Sequence, residues 1–89
     1  MSYRITVQQG LAAHFMQPTG VSLPGIDWMI QIEGPRRGRV IVRSYLKGRV
    51  ATEEEKAVLA QRAIDLVTRK IESGWDPSVR AGVLDLPDI

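Results

Sequence analysis

The residues best suited to chemistry form one run. Between positions 34 and 50 the chain carries Arg36, Arg37, Arg39, Arg43, Lys47 and Arg49, with no Asp or Glu among them. On an extended strand 37, 39, 43, 47 and 49 share a face, with Ile41 and Tyr45 interleaved. Guanidinium groups bond phosphates and the G O6/N7 edge in a planar, bidentate way, which Lys cannot copy. A basic two-stranded ribbon also fits the major groove of B-DNA. Arg36, Arg37, Arg39, Arg43, Tyr45, Lys47 and Arg49 are therefore the candidate nucleic-acid contacts, with DNA or another polyanion as the partner. A plainer reading stands beside it. Exposed hairpins are often basic to keep their edges from pairing with other chains, and Asp27 and Glu33 answer part of this charge locally.

Other chemistry finds little support. There is no Cys, hence no disulfide, thiolate metal site or Cys nucleophile. His14 is the only imidazole, between Ala13 and Phe15, and it forms no nucleophile–base motif with the scattered hydroxyls. Glu53, Glu54 and Glu55 are consecutive, point different ways on a helix, and suit a helix start better than a metal. Gly34-Pro-Arg-Arg-Gly38 lacks the Gly-Lys-Ser/Thr end of a phosphate-binding loop and joins two strands. No catalytic residue, metal or cofactor is expected, and the chain reads as a non-enzymatic binding module.

These side chains need elements to hold them. Residues 3–8 alternate, with Tyr3, Ile5 and Val7 on one face, as in a half-buried strand. Gly10 interrupts the pattern, and 11–17 fit either a short strand or a helical turn. Pro18 to Gly25 reads as a loop of about seven residues. Residues 26–33 and 39–47 form a hairpin around the turn at 34–38. Matching apolar faces pairs Ile32 with Val40, Ile30 with Val42 and Trp28 with Ser44, and sets Glu33 against Arg39.

The next segment, 52–73, is a helix. Thr52-Glu-Glu-Glu55 is a capping box, Ala57, Ala60, Ala63, Ile64, Val67 and Ile71 share a stripe, and Gly74 follows as the stop. Trp75 can fold back on the core, Asp76-Pro77 can start a further turn, and the apolar tail within 75–89 can dock or pair with another chain. The expected fold is α+β: an antiparallel sheet of about three strands on one long C-terminal amphipathic helix.

From Asp27 to Asp76 this order resembles the arm-type DNA-binding domain of phage-type tyrosine recombinases. The shared features are strand, basic turn, basic strand, Thr-Glu-Glu-Glu helix start and Gly-Trp-Asp-Pro helix end. The resemblance implies a three-stranded sheet backed by one helix, with Arg37, Arg39, Arg43 and Tyr45 facing the major groove. It covers about 50 of 89 residues and has no diagnostic motif. Lys47 to Val50 intervene where that family usually begins its helix, and no recombinase chemistry is expected to follow. The chain is equally similar to small uncharacterised bacterial proteins built as strands followed by a helix.

Eighty-nine residues make one domain, and a chain of this size buries only about 60–65% of its unfolded surface. No apolar run is long enough for a signal peptide or a bilayer span, so a cytoplasmic location without membrane contact is expected. Formal net charge is +2, but residues 1–50 hold seven bases and two acids while 51–89 hold five bases and eight acids. The halves are thus +5 and −3. That polarity, the edge at 3–8 and the tail raise the alternative of a protein-interaction or self-associating accessory domain, such as a homodimer.

Overall fold

The computed structural model describes residues 2–46 and 51–87. The elements run β1 (Arg4–Met16), β2 (Ser22–Glu33), β3 (Gly38–Tyr45), α1 (Glu53–Glu72) and β4 (Val83–Asp85). They form a four-stranded sheet in the order β1-β2-β3-β4, with α1 packed on one face. The α+β class is as expected. The sheet is mixed, however, because β4 returns from the tail and pairs parallel to β3.

Strand β1 is longer than the alternation at 3–8 implies. Val7 opposes Ile30 and Gln9 opposes Met29, so Gln8 is an extra, bulged residue. A bulge of one residue exchanges the two faces beyond it. Ile5 and Val7 face the helix, and past the bulge Gly10, Ala12, His14 and Met16 take over that side. The strand therefore continues through the segment whose period could not be read. The turn shrinks to 17–21, and Pro24 and Gly25 lie inside β2.

Two glycines make room for aromatic rings. A Cβ at Gly10 would lie 2.6 Å from the Trp28 ring on the helix side, and one at Gly25 would lie 2.7 Å from Phe15 on the opposite side.

The hairpin register differs from the expected one by two residues. Ile30 opposes Val40, Trp28 opposes Val42, Ile26 opposes Ser44 and Gln31 opposes Arg39. A slip of two preserves both faces, so apolar matching could not separate the two registers. The observed one sets Asp27 directly against Arg43 on the open face, where the other would set it against Tyr45. On the helix side Trp28 Nε1 donates diagonally to Ser44 Oγ at 3.0 Å. Glu33 opposes Arg4 instead of Arg39 and accepts from Gln31 Nε2.

The core joins Ile26, Trp28, Ile30 and Ile32 to Val40 and Val42, under Ala63 and Val67 of α1, with Ala51 and Leu86 completing it. Ala63 and Val67 are fully buried, and the small Ala63 lets the helix approach the sheet closely. The capping box forms as expected. Thr52 Oγ1 accepts from the Glu55 N–H at 3.1 Å, and Glu55 Oε1 accepts from the Thr52 N–H. Replacing Thr52 by Ala is expected to cost about 1 kcal/mol, read as a lower urea midpoint with an unchanged slope. At the other end Gly74 adopts φ +109°, a conformation other residues rarely take.

Beyond the helix, Trp75 packs against the core, as the sequence suggests. Asp76 then closes a single turn. Its carboxylate accepts from the Ser78 N–H and hydroxyl, and its C=O accepts from the Val79 N–H. Those two Ser78 bonds, with help from Arg36, hold the Asp76 carboxyl below its ordinary range. A lowered folded pKa contributes stability above the ordinary Asp range and loses it as pH falls towards the folded value. Asp76→Ala should therefore flatten the acid limb of melting temperature against pH, measured by circular dichroism.

Candidate nucleic-acid interface

The helix covers one face of the sheet and leaves the other open. Odd-numbered residues of β3 project from that open face: Arg39, Ile41, Arg43 and Tyr45, beside Asp27, Met29 and Gln31 of β2. Past its bulge, β1 adds Leu11, Ala13 and Phe15 to this face, and β4 adds Val83 and Asp85.

Two of the expected cations are already committed. Arg43 bonds Asp27 bidentately, Nε to Oδ1 at 2.8 Å and Nη2 to Oδ2 at 3.2 Å. Its guanidinium also stacks 3.8 Å from the centre of the Phe15 ring, which meets Tyr45 edge-on at 6.0 Å. The Asp27 bonds push the Arg43 pKa above its ordinary value, against desolvation, with a smaller push from Tyr45. Arg43 and Tyr45 thus belong to an internal clamp on the open face. Arg36 pairs with Asp76 at 3.2 Å and ties the hairpin turn to the segment after the helix.

Asp27→Ala is expected to cost about 1–3 kcal/mol, because it strands a guanidinium that is only 24% exposed. A double-mutant cycle with Arg43→Ala, followed by urea unfolding, should recover much of that cost as coupling.

The remaining cations are differently placed. Arg37 lies exposed in the turn, before β3 begins, and so leaves the strand face to which its number assigned it. Arg39 is exposed on the open face. Lys47 and Arg49 lie outside the described residues. Among the described residues neither Arg37 nor Arg39 has an ion-pair partner.

A residue that the sequence did not single out joins them. Arg80 and Arg39 line one shallow recess of about 320 Å³, with Gln31 as a further polar wall and Met29, Ile41 and Val83 among the apolar ones. Arg80 arrives there only because β4 docks beside β3. The apolar Val83, Leu84 and Leu86 after Gly82 signalled that this segment docks, without marking it as a strand.

His14 is exposed on the helix side of the β1–β2 arm, opposite Pro24. Among the described residues no group of three or more His, Asp and Glu side chains is placed to hold a metal ion. No helix among them is long and apolar enough to cross a membrane.

Fold and surface together define a small α+β module with one open sheet face, cationic at the hairpin end and aromatic at the other. No protein-family model matches the chain, and no curated protein or solved structure is significantly similar to it.

Proposed function

We propose that this chain is a non-enzymatic binding module that holds nucleic acid against the open face of its sheet. The observation that supports this most directly is the recess shared by Arg39 and Arg80. Both guanidinium groups lack a carboxylate partner among the described residues, and Gln31 lies beside them. Arg37, in the adjoining turn, adds a third unpaired cation at the same end of the sheet.

Phosphate oxygens satisfy such groups, and Gln31 supplies both a donor and an acceptor for a base edge. Arg43 has a positioning part. Held flat by Asp27 and Phe15, it keeps β3 in register and leaves the outer arginines to meet the ligand. The resemblance to recombinase arm-type domains, which turns Arg37, Arg39, Arg43 and Tyr45 together towards DNA, supports the same choice of face; with Arg43 and Tyr45 held in the clamp, Arg37 and Arg39 are left to make the contacts.

The test is a salt titration of binding to a labelled random-sequence duplex, followed by fluorescence anisotropy. Each phosphate contact contributes about −0.9 to the slope of log affinity against log salt. The double variant Arg39→Ala/Arg80→Ala should reduce that slope by about 2 and weaken binding at low salt by at least about tenfold. Its circular dichroism should match the parent's, since neither side chain has an ion-pair partner among the described residues. No binding at low salt, or an unchanged slope in the double variant, would sink the proposal.

A further inference from the structure

Among the described residues strand β1 has a neighbour on one side only. It is 13 residues long, against three for β4 at the opposite edge. Edge strands are ordinarily blunted by charge, by proline or by being short. From Ile5 to Met16 this one contains no Asp, Glu, Lys, Arg or Pro.

Two hydrogen bonds show which of its main-chain groups face outward. The Gln17 N–H donates to the Val21 C=O at 2.8 Å, so odd-numbered residues of the arm turn their peptide groups towards β2. Pro24, opposite His14, has no N–H, and its C=O accepts from the Leu46 N–H on the β3 side. Beyond the bulge the outward N–H and C=O groups are therefore those of Gly10, Ala12, His14 and Met16.

We propose that β1 pairs antiparallel with β1 of a second copy of this chain about a two-fold axis at Ala13, joining two sheets into one of eight strands. In this register Gly10 faces Met16 of the second copy and Ala12 faces its His14, so the outward peptide groups of these four residues all find partners. The side chains fit the same register. Directly opposed residues share a face. Met16, at 71% the most exposed large hydrophobic side chain among the described residues, then lies on the helix side opposite Gly10. There a recess of about 370 Å³ opens over Trp28, Ala57 and Ala60. On the open face Leu11, 44% exposed, meets Phe15 of the second copy. An isologous contact repeats each pairing twice, and the uncharged strand brings no like charges together.

The absence of cysteine makes the register directly testable. At a non-hydrogen-bonded position on the axis, opposed Cα atoms lie about 4.5 Å apart, within disulfide reach. Ala13→Cys should therefore form a covalent dimer on mild oxidation. Leu11→Cys, whose two copies stand four positions apart, should not. In sedimentation without nucleic acid the parent should be a dimer over a dilution series. Ala12→Pro, which removes only an outward N–H, should be a monomer with parental circular dichroism. Should that variant unfold, Ala13→Lys places like charges at the axis and should give the same monomer. A monomeric parent overturns the proposal. So does a dimer that survives both variants, or a Leu11→Cys chain that crosslinks as readily as Ala13→Cys.

Discussion

Trp28→Ala should destabilise the domain by about 3–5 kcal/mol, the range for emptying a large buried aromatic site. A domain of this size is stable by only about 5–15 kcal/mol, so the variant would be partly unfolded at 37 °C if the parent sits at the low end. The expectation rests on three roles held by one side chain. Trp28 is 6% exposed at the centre of the β2 core row. Its ring covers the backbone at Gly10 of β1, where no side chain could fit beside it. Its Nε1 donates to Ser44 Oγ, whose hydroxyl donates in turn to the Ile26 C=O, so removing the indole leaves Ser44, only 2% exposed, with one of these two bonds. Trp28→Phe keeps part of the ring and loses the bond, and should cost about 1–2 kcal/mol beyond the lost area. Urea denaturation followed by far-ultraviolet circular dichroism measures both. Equal midpoints for Trp28→Ala and the parent would show that the ring is not the keystone of this core.

Gly38→Ala should have the next largest effect, about 3 kcal/mol, towards the upper end of the cost of overpacking. Gly38 opens β3 opposite Ile32, on the helix side, and the backbone of Pro77 presses directly onto it. A Cβ there would overlap the Pro77 carbonyl. That obstacle is main chain, which cannot rotate away as a flexible side chain does.

The Pro77 segment would have to lift, and it carries Asp76, the partner of Arg36, and leads to Arg80. Gly38→Ala should therefore lower stability and weaken polyanion binding together. Arg39→Ala/Arg80→Ala should weaken binding with stability unchanged. Thermal melts and anisotropy on the two variants make the comparison. A Gly38→Ala protein with parental melting temperature would mean that the approach of Pro77 is dispensable.

Much of the local structure was legible in the sequence. The helix limits followed from Thr52, Glu55 and Gly74, because caps and stops act within a few residues. The division of β2 and β3 into a core face and an open face followed from alternation, which a strand expresses through its own pleat. Of the basic run, Arg39 and Arg43 lie on that open face.

What remained was decided by contacts between distant residues. The hairpin register was ambiguous because a slip of two leaves every side chain on its own face; the directly opposed Asp27–Arg43 pair belongs to one register alone. The course of β1 beyond Val7 was hidden because one bulged residue exchanges the faces, which from sequence alone looks like loss of period. β4 could not be assigned from three residues whose pairing lies across the sheet.

The cationic run also changed in meaning. Six basic residues read in a row suggest a uniform surface, but tertiary contacts neutralise Arg43 with Asp27 and Arg36 with Asp76, and add Arg80 from the far end of the chain. Sequence fixes which groups are charged and which side of a strand they occupy. Which charges remain unpaired is set by carboxylates tens of residues away, and only folding brings those within reach.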